Sequence, residues 1–392
     1  MQSTAIPTRT ELVERARGLV PMLREHAARA EHKARLADEV VAALTEAGIF
    51  RMRTPARFGG YECDAATLID VGIELGRGDG SVAFDVAAWW IMSWNVGLFP
   101  DEVQDVVFAD PDVRICGTLA PTATAEPTTG GLRVTGTWAF NSGAAHSSWK
   151  VFSAILPTDD GALPIMGLVP SAELDVVEDW DVSGLRGTGS VTLSGQDVFV
   201  PEGRYIPIPA LLQQQYASKR NAESTMYRAP VVGAVGAATC GKLIGLARAA
   251  QEDFLERIAK RPITNTSYER QIDAPVTHLQ VAEATLKTDE AEHHARKLAA
   301  MVDGKAGAGQ EWTLQERAYA RVAVGRVCQL TAEAVDLLAG ASGGSSIYAD
   351  QLIQRIRRDI QAITIHALNL PSTNLELYGR VLCGLEPNTF FV

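Results

Sequence analysis

An α+β chain in three consecutive parts is what this sequence predicts, on three observations. Residues from about 10 to 110 carry apolar side chains at helical spacing. From about Val113 to Tyr205, short β-branched runs alternate with Gly, Pro, Thr and Asp. From about Ala229 long helical patterns return. The predicted division is an N-terminal helical domain over 1–112, a central antiparallel β domain over 113–206, and a C-terminal four-helix bundle over 207–392.

In the first part, Leu12, Ala16, Leu19, Leu23 and Ala27 recur at helical spacing behind Thr8-Arg-Thr-Glu11, a capping-box pattern. A second helix is predicted over about 36–47, with Gly48 placed to end it in a left-handed conformation. Pro55 and Phe58-Gly-Gly60 mark a loop, and helices resume over about 64–75 and 81–97. In the second part, Gly131-Leu-Arg-Val-Thr135, Lys150 to Ile155, Pro164 to Val169 and Asp197 to Val200 read as strands. In the third, long helices are predicted near 229–260, 273–303 and 312–340, with a fourth over about 348–368. Pro262 and Pro275 bracket one loop and Gly304 to Gly309 forms another. Four long helices with short connections predict a bundle.

Bulk properties exclude several classes. With 36 Lys and Arg against 47 Asp and Glu, the net charge of -11 opposes binding to nucleic acid or to an anionic membrane. No uncharged apolar run approaches the roughly 20 residues of a bilayer span. The opening Met1-Gln-Ser-Thr-Ala5 begins no signal pattern. Cys63, Cys116, Cys240, Cys328 and Cys383 are scattered and form no Cys-x-x-Cys pair. Neither a zinc site nor a disulfide framework is expected, and a reducing, cytoplasmic setting fits.

Two distant segments carry the chemistry. One is Gly136-Thr-Trp-Ala-Phe-Asn-Ser-Gly143, followed by Ala144-Ala-His-Ser-Ser-Trp149. The other runs from Ala341 through Gly343-Gly-Ser-Ser346 to Arg357-Arg-Asp359 and His366. With Ala47-Gly-Ile-Phe50 to Gly60 near the start and Gly184-Leu-Arg-Gly-Thr-Gly-Ser190 in the middle, they resemble the acyl-CoA dehydrogenase superfamily. The spelling is closest to its two-component flavin-dependent monooxygenase branch, and the resemblance covers nearly the whole chain.

The resemblance implies an oxygenase component that takes reduced flavin (FADH2 or FMNH2) from a separate NAD(P)H-dependent reductase. With O2 it would form a C4a-hydroperoxide and hydroxylate a small aromatic or polycyclic substrate, in a homotetramer. It places Ser142 at flavin N5, Phe140 and Asn141 beside the ring, and His366 close to the flavin as a proton-exchanging group. Arg257 would reach a flavin phosphate of a neighbouring subunit, and Arg186 and Ser190 are further cofactor candidates. Trp89, Met92, Ser93 and Trp94 on one helix, with His146, are candidates for the substrate pocket. A hydroxyl near N5 and a dry pocket suit such chemistry because water promotes loss of peroxide.

Departures and bland readings stand beside these. Asp350 falls where many dehydrogenases carry a catalytic glutamate. An acyl-CoA dehydrogenase using bound FAD, with Asp350 as base, is the alternative, together with N-oxygenation of an amino sugar or a catalytically silent assembly role. Met92 and Ser93 stand where phenol hydroxylases often carry a histidine. The tryptophans also read as core, Arg186 and Ser190 as turn residues, and Ser142 as an ordinary strand-end serine. Gly236 to Lys242 nearly spells a P-loop but ends in Leu243 and reads as helix. Glu290-Ala-Glu-His293 lacks the second copy a di-iron site needs, so no metal is expected.

Overall fold

The computed structural model describes residues 6–392, so the Met1–Ala5 reading lies outside the described residues. Thr8 and Glu11 form the capping box that starts α1 (Arg9–Lys33), and α2 (Asp38–Glu46) is followed by Gly48 at φ +75°. Asp79 closes α3 (Ala65–Gly78) and opens α4 (Gly80–Val96), its Oδ1 accepting from Val82 N at 2.9 Å. A short α5 (Asp101–Val107) leads into the sheet.

Among the described residues the sheet has seven strands. They are β1 (Ile115–Thr128), β2 (Gly131–Trp138), β3 (Trp149–Thr158), β4 (Gly161–Pro170), β5 (Asp175–Val177), β6 (Thr192–Pro201) and β7 (Tyr205–Pro207), in the order β5-β6-β2-β1-β3-β4-β7. The expectation of a purely antiparallel domain is corrected here, because β1 and β3 run parallel. After the β1–β2 hairpin, residues 139–148 cross to the other side of β1, which requires β3 to run alongside it in the same direction. That crossover carries the Phe140–Gly143 motif. The β1–β3 register also slips between Gly117 and Ala123, where Thr118 and Leu119 are half-buried and Ala120 exposed.

A short α6 (Ile208–Leu212) precedes α7 (Val231–Ile258), α8 (Pro275–Ala308), α9 (Leu314–Ala341), α10 (Leu352–Thr364) and α11 (Pro371–Leu382). The predicted fourth bundle helix therefore stops at Thr364 and a fifth follows. Asn369 Nδ2 donates to Ile363 O at 3.1 Å, and Pro371 opens the new helix at its first turn. The predicted loop over 304–309 is the last turn of α8, which ends only at Gly309, φ +63°. Arg228 donates to Ala306 O at 3.3 Å and Lys305 pairs with Glu316 at 2.7 Å; these ties hold two glycines helical against their propensity.

By length and composition α7 is apolar enough to cross a bilayer, and in this fold it is the buried central helix instead. It meets α3 backbone to backbone. A Cβ at Gly76 would stand 2.4 Å from Lys242 O, and one at Gly245 would stand 2.2 Å from Ile73 O, so only glycine admits this approach. The N-terminal helices, the sheet and the bundle thereby form abutting layers, with the crossover and the Gly184–Ser190 turn at their junction.

Candidate active site

Residues 139–143 are held in place by backbone bonds to the loop before β6. Asn141 N donates to Val191 O at 3.1 Å, and Gly143 N donates to Thr188 O at 3.0 Å. These bonds bring the two motifs together and set Ser142 Oγ 2.8 Å from Ser190 Oγ. Ser190 Oγ is in turn 2.6 Å from Thr188 Oγ1, which donates to Leu185 O at 2.8 Å. Ser142, Ser190 and Thr188 are all buried. They form a chain of three hydroxyls ending on a backbone carbonyl. Thr188 was not among the candidates; its place in Gly184–Ser190 was the available signal.

The turn supporting this chain is anchored from both sides. Leu185 takes φ +55°, and its N–H donates to Asp359 Oδ1 of α10 at 2.6 Å. A Cβ at Gly184 would stand 2.2 Å from Arg358 O, so α10 lies directly on the turn. Burial raises the Asp359 carboxyl to about 7, with Asp79 adding to the rise. Asp79 itself is raised by burial, and Asp85, fully buried with neither oxygen bonded, is raised well above the usual range.

Other candidates divide clearly. Phe140, at φ +64°, is 69% exposed and meets Trp180 edge to face, a free aromatic beside Ser142. Asn141 faces inward instead of toward a ring. Its Nδ2 donates to Trp138 O at 2.5 Å and to Val191 O at 3.0 Å, and its Oδ1 accepts from buried Lys150. Arg186 is a brace: it donates to Val182 O at 2.6 Å and Glu31 O at 3.3 Å, and pairs with Asp181. In this structure both side chains also brace the fold, Asn141 through its amide and Arg186 through Nε and Nη1.

The tryptophans are core. Trp89, Trp90 and Trp94 are each 1% exposed, and each indole N–H is bonded: to Ser147 Oγ at 2.9 Å, Ile49 O at 2.7 Å and Met226 O at 2.9 Å. Trp89 supports the motif from below, since a Cβ at Gly143 (φ +67°) would meet its ring at 2.4 Å. Ser93 is buried, and Met92 packs its sulfur against Gly117. His146 turns away to the α1–α2 connection, its Nε2 3.1 Å from Leu36 O. The indole N–H groups of Trp89 and Trp94 and the Nε2 of His146 are thus partnered within the fold.

His366 lies just past α10, exposed to water but crowded by protein. Leu368 N donates to its Nδ1 at 3.2 Å, which leaves the neutral ring's proton on Nε2. Crowding lowers its pKa first, then the cations Lys242 and Arg321, so the neutral form prevails at pH 7. Leu368 and Asn369 line a small cavity of about 20 Å³ with Leu119, Val235, Thr239 and Arg321. Lys242, passed over in the sequence as part of a failed P-loop, is buried with its ammonium 4.8 Å from the Phe84 ring centre. Among the described residues it has no hydrogen-bond partner, and burial lowers it to about 8.

Arg257 pairs with Asp253 at 3.7 Å; burial lowers the pKa of neighbouring Arg261, and the charge of Arg257 adds to the fall. Arg261 donates to Ser342 O and lies against Gly343. The Ala341–Ser346 motif and the two arginines thus share one corner. At 1.5 Å per residue Arg257 is about 22 Å along α7 from Lys242. Asp350 is exposed on the turn before α10, bonded only by Gln351 Nε2 at 3.0 Å. Glu290 pairs with Arg326 at 2.8 Å.

The hydroxyl chain, a free aromatic and a neutral imidazole suit a polar-edged, flat-faced ring. Comparisons with known proteins show the family. Residues 7–104 match the family model "Acyl-CoA dehydrogenase, N-terminal domain", and residues 237–371 match "Acyl-CoA dehydrogenase, C-terminal domain". The chain is 30% identical to the flavin-dependent monooxygenase oxygenase subunit HsaA of Mycobacterium tuberculosis (strain ATCC 25618 / H37Rv), over 95% of both chains. It is 29% identical to the oxygenase component of the FADH(2)-dependent resorcinol hydroxylase of Rhizobium sp. (strain MTP-10005), over 96% of this chain and 95% of that one. The crystal structure of M. tuberculosis HsaA superposes with a TM-score of 0.92 at 28% identity, covering 98% of this chain and all of that one. XiaF from Streptomyces sp., in complex with FADH2 and glycerol, superposes at 0.91 with 29% identity over 97% of each.

Proposed function

Because this chain belongs to the acyl-CoA dehydrogenase family, as an oxygenase subunit of its two-component flavin-dependent monooxygenases, we propose that it hydroxylates an aromatic or polycyclic compound, with Ser142 and His366 as the groups that serve the flavin and the substrate. A separate flavin reductase supplies such subunits, and we take it to be NAD(P)H-dependent. When bound, the reduced flavin supplies the activation of O2.

The remaining roles fall to the chain. Ser142, held by Ser190, would meet the flavin's N5 edge. Phe140, exposed at the strand end, would cover a ring face. His366, neutral with its proton on Nε2, donates to a substrate or flavin oxygen and takes a proton back at the same atom. The buried cations Lys242 and Arg321 near His366 favour a substrate whose hydroxyl ionises, and the resorcinol hydroxylase relative is named for a phenolic substrate. Arg257 and Arg261, which share a corner with Ser342 and Gly343, would hold a flavin phosphate from a neighbouring subunit of a homotetramer. Five unpaired cysteines suit a reducing cytoplasm.

The observation that carries this reading is the buried hydroxyl chain ending on Ser142 at the crossover. The exposed Asp350 gives the acyl-CoA dehydrogenase alternative no support. Stopped-flow absorbance tests the proposal. Anaerobic protein with reduced FMN, and separately with reduced FAD, is mixed with oxygenated buffer. A transient absorbance distinct from reduced and oxidised flavin, lasting seconds or longer with one of them, is expected. Direct appearance of oxidised flavin with both contradicts the proposal.

A further inference from the structure

The hydroxyl chain has a direction, and the direction is set at its far end. Leu185 O can only accept, so the 2.8 Å contact from Thr188 Oγ1 uses the single proton of Thr188. Either oxygen of the Thr188–Ser190 pair could donate in isolation. With the proton of Thr188 used, Ser190 must donate to Thr188. The same step applied once more makes Ser142 donate to Ser190 across 2.8 Å. The outward face of Ser142 Oγ then carries lone pairs only. The Leu185 carbonyl is held in this orientation by two further donors, Trp180 Nε1 at 3.2 Å and the Thr188 backbone N–H at 3.1 Å.

We infer that Thr188 and Ser190 are positioning residues that make Ser142 an obligate hydrogen-bond acceptor and so select reduced over oxidised flavin. The inference rests on the proposed placing of Ser142 at N5. Reduced flavin carries a hydrogen on N5 and satisfies that acceptor. Oxidised flavin presents a bare N5 lone pair to another lone pair, in a buried place where an unmade hydrogen bond is costly. An isolated serine would simply rotate its hydroxyl and serve both forms. The chain removes that freedom. The selection is thus built into a threonine that does not itself face the flavin.

Removing the far hydroxyl should release Ser142. In Thr188→Val the shape is kept, and Leu185 O still accepts from Trp180 Nε1 at 3.2 Å and from the residue-188 backbone N–H at 3.1 Å. Ser190 is then free to donate to Ser142, whose own proton can turn to N5. Ser190→Ala frees Ser142 by a second route and carries the test should the valine variant fail to fold.

The test is equilibrium binding of oxidised and of anaerobically reduced FMN and FAD to wild type, Thr188→Val, Ser190→Ala, Thr188→Ser and Ser142→Ala. Thr188→Val and Ser190→Ala are expected to bind oxidised flavin about tenfold more tightly, with reduced-flavin affinity little changed. That is one hydrogen bond's worth and lowers the bound flavin's midpoint potential by about 30 mV. Thr188→Ser, which keeps the hydroxyl, should match wild type. Should Ser142→Ala weaken reduced-flavin binding while both relay variants leave oxidised-flavin affinity unchanged, the selection mechanism is overturned and the Ser142 placement stands. Should Ser142→Ala change neither affinity, the placement falls and the inference with it.

Discussion

Two stretches of this chain look equally functional as text, and the fold treats them in opposite ways. The Phe140–Gly143 crossover and the Trp89–Trp94 helix are both rich in groups that bind flat ligands. In α4 every tryptophan N–H is bonded to the protein and every ring is buried. At the crossover a chain of hydroxyls is bonded inward and ends on an oxygen with capacity to spare. A binding residue is marked here less by its type than by the hydrogen bond it has left unmade. The two regions also depend on each other, since Trp89 underlies Gly143 and leaves no room for a side chain there.

The comparison can be broken most forcefully at Trp89. Trp89→Ala is expected to cost about 3–5 kcal/mol, the range for truncating a buried aromatic, in urea or guanidinium unfolding. Ser142→Ala should cost about 1 kcal/mol or less, one buried hydrogen bond. Comparable losses at the two positions would erase the distinction.

A second test uses pH. Asp359 is raised in the folded chain to about 7, so the native state holds its proton more tightly than the unfolded state does. Its contribution is therefore fully present below about pH 4 and is lost as pH rises through 7. Asp79 and Glu31 oppose its ionisation, and Arg355 favours it. Asp359→Asn keeps an oxygen to accept from Leu185 N and has no proton to lose. The variant should be the more stable at pH 8, by up to about 4 kcal/mol, and should show a flatter dependence of Tm on pH between 5 and 8. An unchanged slope contradicts the assignment of the buried charge to Asp359.

The smallest effect is expected at Asp350. Exposed and bonded only by Gln351, it can become asparagine without measurable change in fold stability or in oxygen-dependent flavin turnover. A loss of activity of tenfold or more in Asp350→Asn would restore the base that the dehydrogenase alternative requires.

The fold was legible wherever a signal was local. The capping box at Thr8, the left-handed Gly48 and the order of helices, strands and helices are each written within a few residues. Long-range geometry was not. Nothing in spacing shows that Ser142 and Ser190, 48 residues apart, would meet, although each was singled out within its motif. His146 reached Leu36 across 110 residues, out of any local view. The parallel β1–β3 pair depends on where a crossover lands, and the helical Gly304 and Gly307 depend on contacts from α9 and the 213–230 loop. Thr188 was hidden because its role comes from one carbonyl, and Lys242 because a lysine in a near-P-loop drew attention to the wrong chemistry.

The account's central claim is that Ser142 is the group at the reacting edge of the flavin. Its most direct test is the lifetime of the oxygen-dependent transient in Ser142→Ala against wild type, with hydrogen peroxide measured in the same reactions. The account predicts a transient at least tenfold shorter, with peroxide rising to match the flavin oxidised, in a protein whose unfolding is nearly unchanged. An equal lifetime and equal peroxide yield in the two proteins would contradict it.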